Sequence, residues 1–246
     1  MDHFQILKPD LQNLAESVRK IIGNNLVGFY VAGSLAIGAW NPHMSDIDFF
    51  VIIKNELSDN IIDLLADFHE KIENTDFGNK LEGEYITLTD LRQKNFEISI
   101  PAVKKGHFYR STVCELSADN VFSLAQTGRC ILGEPIDDLG LEVSEMEYKT
   151  DVYKILVEHK KLLDKGETLS FQERFYLLVD VLRSIYALET GELATKNSAL
   201  EYKKDLLGLD LFTKITTFLK KGSAEFEIPL SKLREIYEYG FSLKKV

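Results

Sequence analysis

Apolar residues in the first half of the chain alternate between two spacings. In DLQNLAESVRKIIG, 10–23, they recur three and four positions apart and stop at a glycine, which predicts an amphipathic helix. VGFYVA, 27–32, is a short run of β-branched and aromatic residues and predicts a buried strand. LAIGAW suggests a helical turn, NPHMS, 41–45, is loop chemistry, and DIDFFVII, 46–53, predicts a second strand. A helix is expected over 58–73, opened by Ser58 or Asp59, and a third strand over 81–88. After about residue 110 the period becomes helical, with segments near 116–127, 146–164, 171–190, 196–206, 209–221 and 229–243 separated by glycines. The pattern predicts an α/β domain with a small mixed sheet followed by an α-helical bundle. The change of period falls within 105–145, and we place the boundary so that 1–110 and 111–246 are the two domains.

Composition narrows the function classes. The formal net charge of -10 argues against a general nucleic-acid binder, which collects Lys and Arg against phosphates. The same acidity suits a cationic substrate. Cys114 and Cys130 form neither a metal-ligand pair nor a disulfide framework, which fits a reducing compartment. No secretory leader or membrane-length apolar run is evident, so the expectation is a cytoplasmic monomer without a membrane or nucleic-acid partner.

The chemistry concentrates in VGFYVAGSLAIGAWNPHMSDIDFFVII. A strand runs into Gly33-Ser34, and the next strand opens with Asp46-Ile47-Asp48. Alternation places the two aspartates on one face. Two carboxylates so placed repel unless a cation lies between them, and magnesium accepts one or two carboxylates together with phosphate oxygens and water. Gly33 lets backbone approach a phosphate, and Ser34 offers hydroxyl and N–H donors. A phosphate-and-metal site of this type serves phosphoryl or nucleotidyl transfer. In LEGEYITL, Glu82 and Glu84 share a face, and either is a candidate third carboxylate or general base.

The Gly-Ser pair followed after eleven residues by Asp-x-Asp resembles the nucleotidyltransferase superfamily signature. Most of the chain resembles bacterial aminoglycoside adenylyltransferases of the streptomycin/spectinomycin type. Leu81-Glu82 is similar to the family's "LE" strand, which implies Glu82 as catalytic base. LAQTGRCILGEP, 124–135, resembles the family's helix-to-loop segment. RFYLLVDVLRSIYALETGELATKNSALEYK, 174–203, resembles its second helical signature. The resemblance implies ATP as co-substrate with magnesium, two ions being expected. It implies phosphate contacts from Ser34 and Ser45, and nucleotide contacts from Arg183 and Lys196. Glu173, His107, Phe108 and Glu84 stand where acceptor contacts are expected. The family's "SKD" is Thr195-Lys196-Asn197 here, and a tryptophan used in some members is absent at 106–110, where the chain reads GHFYR; its only tryptophan is Trp40. The implied reaction is transfer of AMP from ATP to a hydroxyl of a spectinomycin- or streptomycin-class acceptor. Two other readings fit these residues: a nucleotidyltransferase with another small-molecule or protein acceptor, and a silent binding module that keeps the fold.

Overall fold

The structure, a computed structural model, describes residues 2–222 and 226–243. The chain divides into two units, Met1–Val143 and Ser144–Val246.

The first unit opens with helix α1, His3–Ile22, which begins seven residues before the predicted start. Asp2 caps it through the Phe4 N–H, and Pro9, which has no N–H to give the helix, sits on its exposed side. Strand β1 (Leu26–Val31), the turn α2 (Gly33–Ala36), strand β2 (Ile47–Ile53), helix α3 (Asp59–Ile72) and strand β3 (Leu81–Thr87) follow, close to expectation. Then come α4 (Leu88–Gln93), β4 (Ser99–Lys104), β5 (His107–Val113), α5 (Ala118–Thr127) and β6 (Arg129–Gly133).

One sheet contains all six strands in the order β5-β4-β3-β2-β1-β6. Only the β2–β3 pair is parallel. The strands at its centre are nearly continuous runs of apolar residues because both faces are covered. On one face Phe29, Val31, Phe49, Val51 and Tyr85 pack with Leu11, Leu14 and Val18 of α1 and Leu65 of α3. On the other, Tyr30, Phe50, Ile52 and Ile86 pack with Leu91 of α4 and Val121 and Leu124 of α5. The rings of Phe29 and Phe49 stack at 5.1 Å across β1 and β2, and burial of each such side chain contributes about 1.5–3 kcal/mol.

The expected domain boundary at 110 is displaced to 143. Residues 111–143 include the end of β5, the helix α5 that closes the second face, and β6, which pairs with β1 through Gly28–Gly133 and Phe29–Leu132. Without β6 the backbone of β1 would be an open sheet edge. The second unit comprises α6 (Glu145–Leu163), α7 (Phe171–Thr190), α8 (Lys196–Tyr202), α9 (Lys204–Leu207), α10 (Leu209–Lys221) and α11 (Leu230–Ser242). Helix α7 is its centre, with Leu177, Leu178, Val181, Leu182 and Ile185 all buried. It packs against α6, α8 and α11. No helix among the described residues is long and apolar enough to cross a membrane.

Candidate active site

Asp48 is the second residue of β2, between the buried Ile47 and Phe49. Those neighbours anchor the strand in one core, and alternation sends Asp48 to the opposite face, the one carrying Phe50 and Ile52. Parallel pairing sets Asp48 beside Glu82 and Phe50 beside Glu84. Glu82, Glu84 and Asp48 therefore line one face at the entering ends of β2 and β3, while Ile52 and Ile86 farther along are covered by apolar packing.

Backbone geometry brings Gly33 against this group. Its φ is +61°, and a Cβ added there would lie 2.0 Å from Oδ2 of Asp48. Glycine is required twice over, by the left-handed conformation and by the approach of the carboxylate. The Ala32 N–H donates to the Asp48 carbonyl at 3.0 Å, which ties the start of α2 to β2. Arg129 donates from Nε to the Ala36 carbonyl at 2.6 Å and fixes the other end of α2.

Asp46 precedes β2 and is exposed. Its backbone is held by Trp40, a buried side chain whose Nε1–H donates to the Asp46 carbonyl at 2.8 Å. Lys80, just before β3, donates to the Pro42 carbonyl at 2.7 Å and lies over the Trp40 ring. The loop between the Gly-Ser turn and the aspartates is thus pinned at both its middle and its end.

Electrostatics follow from this crowding. Burial, and then the neighbouring Asp46, raise the Glu82 carboxyl above its ordinary value, against a backbone N–H and the charge of Lys105. Burial pushes Glu84 to about 7, with Glu115 and Asp48 adding to the effect and Lys104 opposing it. Lys104 in turn pairs with Glu115 at 2.5 Å. Lys105 sits at φ +50° and Gly106 at φ +79°, the two-residue turn joining β4 to β5. Both positive angles suit the twist of a tight hairpin and direct the Lys105 N–H to Glu82. A Cβ on Gly106 would meet the Gly78 carbonyl at 2.6 Å, so this hairpin packs directly on the turn that precedes β3.

Residues 11–105 match the nucleotidyltransferase domain model. The chain carries a nucleotidyltransferase domain. A sequence search of curated proteins gives no match. Among solved structures, a spectinomycin adenyltransferase, AAD(9), from Enterococcus faecialis with ATP and spectinomycin aligns with a TM-score of 0.69 and 19% identity. The alignment covers 98% of each chain, and the two proteins share a fold: a nucleotidyltransferase domain followed by a helical region. A toxin–antitoxin complex with AMP-PNP aligns over 61% of this chain and 95% of its own, at 15% identity and a TM-score of 0.28, too weak a likeness to argue from.

Within the nucleotidyltransferase domain, the expected residues separate into two groups. Asp46, Asp48, Glu82, Glu84 and Gly33 come together around the entering ends of β2 and β3, and Ser34 follows Gly33 in α2. Ser45 is buried, and its Oγ accepts the Asn41 N–H at 3.2 Å, so this hydroxyl closes its own loop. Phe108 does not fit an acceptor contact. It is buried, stacked on His69 at 5.2 Å and edge-on to Tyr85, in the core on the face opposite Glu82. Alternation along β5 decides this, since Phe108 pairs with the core residue Val103. His107, at the hairpin end, is exposed and pairs with Glu73 at 3.0 Å.

In the second unit, Glu173 lies in the first turn of α7, where it accepts the Ser170 N–H and Oγ–H at 2.8 Å in a capping box. Those bonds hold its carboxyl below its ordinary value. Arg183 donates from Nε to the Ala194 carbonyl at 3.1 Å, and Lys196 is the first residue of α8, after the cap Thr195. Three residues of the first unit's site carried no sequence signal strong enough to select them: Trp40 as the brace of Asp46, Lys105 as donor to Glu82, and Glu115 beside Glu84. Lys105-Gly106 between two runs of alternating residues was the one available cue, because a two-residue turn ending in glycine marks a hairpin.

Among the described residues, no group of three or more His, Cys, Asp or Glu side chains is set to hold a metal ion by itself. The donors present nevertheless fit magnesium. They are hard carboxylate oxygens from Asp46 and Asp48, and magnesium usually takes one or two protein carboxylates with substrate phosphates and water. Burial first, and then the acidic neighbours Asp46, Asp48 and Glu115, raise the Glu82 and Glu84 carboxyls, as expected where carboxylates crowd together.

Proposed function

We propose that this protein transfers AMP from magnesium-bound ATP to a hydroxyl of a cationic, aminoglycoside-type acceptor of the spectinomycin or streptomycin class, releasing pyrophosphate. The observation that carries the proposal is the register of β2 and β3, which sets Asp48 beside Glu82 with Gly33 beneath the aspartate. Asp46 and Asp48 are the residues to hold magnesium. When bound there, magnesium supplies the neutralisation that a triphosphate needs among carboxylates. Gly33 and Ser34 bring backbone and hydroxyl donors to phosphate oxygens, and Ser45 acts by fixing the loop. Glu82 accepts the proton of the acceptor hydroxyl. The hydroxyl oxygen then bonds to the α-phosphorus, and the bond from that phosphorus to the β-phosphate oxygen breaks.

Glu82 is favoured over Glu84 as base on two grounds. It lies directly opposite Asp48, and the Lys105 N–H fixes its carboxylate. Glu84 and Glu115 extend the negative surface and would meet a cationic acceptor. Arg183 and Lys196 are assigned to nucleotide phosphates, on the family resemblance and on their charge. Glu173 and His107 are exposed enough to touch an acceptor, and the first is the weaker choice because its carboxylate is spent on the α7 cap. The test is transfer of label from α-labelled ATP to a panel of acceptors. Label on spectinomycin or streptomycin supports the proposal, and label only on a lincosamide, another metabolite or a protein would replace the acceptor class.

A further inference from the structure

Asp180, midway along helix α7, lies where α6, α7 and the start of α8 meet. Its side chain is only 17% exposed, whereas Arg183, one turn on, is 45% exposed. Asp180 faces cationic or potentially cationic groups from three elements. The Arg183 Nη1 is 3.9 Å from Oδ1, the His159 Nδ1 of α6 is 3.9 Å from Oδ2, and Lys196 at the start of α8 acts on it electrostatically. The Tyr176 hydroxyl hydrogen-bonds to it, and the Tyr176 ring packs on His159 at 5.5 Å. A buried carboxylate is costly to keep charged without such neighbours.

Arg183 is held at two points. Its Nε donates to the Ala194 carbonyl in the turn that leads to Thr195 and Lys196, and its outer nitrogen lies toward Asp180. The carboxylate thereby constrains Arg183, and Arg183 in turn holds the Ala194 carbonyl two residues before Lys196. We propose that Asp180 is a positioning residue that sets Arg183 and Lys196 to receive the phosphates of the nucleotide, an inference that rests on the nucleotide role assigned to those two residues above. Asp180 itself does not touch the nucleotide.

The sign of one substitution separates positioning from background charge. Removing a negative charge near a phosphate site should tighten nucleotide binding if Asp180 only contributes field. If it positions the cations, Asp180→Asn weakens binding instead. In the full chain with magnesium, the KM for ATP is expected to rise about tenfold while kcat falls less than about threefold, and the ATP Kd measured calorimetrically follows the KM. Tyr176→Phe, which removes the hydroxyl from an exposed side chain, gives a rise of about two- to threefold and serves if Asp180→Asn fails to fold. Unchanged or tighter ATP binding in both variants overturns the inference. Arg183→Ala and Lys196→Ala are the controls. If both bind ATP like the parent, the nucleotide assignment fails and the inference with it; if both weaken binding while Asp180→Asn does not, only the inference falls.

Discussion

Gly33 is the residue on which the site depends most narrowly. Its Cβ position is occupied by the Asp48 carboxylate, 2.0 Å away, and its φ of +61° is unfavourable for other residues. Gly33→Ala is expected to cost about 1–3 kcal/mol and to displace Asp48, with transfer reduced far more than stability. Thermal melting and initial rates on the same preparation check this. Glu84 gives a second prediction. Its carboxyl is raised to about 7, so the folded state binds its proton more tightly than the unfolded state. The resulting stability is complete below the ordinary value of 4.5 and is lost as pH rises through about 7. In metal-free buffer, Glu84→Gln should therefore gain stability over the parent across that window, by a few kcal/mol at most. Denaturant titrations at pH 4.5 and 7.5 measure the difference, and parallel pH profiles for the two proteins would contradict the account. The spacing of Gly33, Asp46, Asp48 and Glu82 was legible in the sequence because each rests on a local rule, strand alternation or glycine conformation. Phe108 was not, because its face is set by pairing with Val103, a partner that no local rule names.

At the scale of elements, the segment between α2 and β2 is a braced loop. Trp40 holds the Asp46 carbonyl, and its indole N–H is the donor that Phe would remove while keeping an apolar ring in place. Trp40→Phe is expected to lower stability by about 1–2 kcal/mol and to reduce kcat/KM roughly tenfold through misplacement of Asp46. Urea unfolding and steady-state rates distinguish these two effects, and loss of stability with full activity would show that Asp46 does not need the brace. Strands with clean apolar runs, β1, β2 and β3, were readable from their pattern. The other three were obscured. Pro101 interrupts β4 at a register shift, β5 is mostly exposed, and the five residues of β6 have too little pattern to stand apart from a loop.

For the whole molecule, the position of the unit boundary is a physical claim. Residues 111–143 close one edge and one face of the first sheet. A fragment ending at 143 should fold cooperatively, whereas one ending at 110 should expose Phe50, Ile52 and the β1 edge and aggregate. Circular dichroism melts and size-exclusion profiles of the two fragments decide it. The fold as a whole matches that of an adenyltransferase at 19% identity, which makes the carboxylates rather than the fold the object to test. The most direct measurement is magnesium-dependent pyrophosphate release from ATP with spectinomycin or streptomycin, for the parent, Asp46→Asn and Glu82→Gln. Release by the parent only, with Glu82→Gln still binding ATP, is the predicted result. Parental turnover by Glu82→Gln, or no release by the parent with any acceptor, would contradict the account.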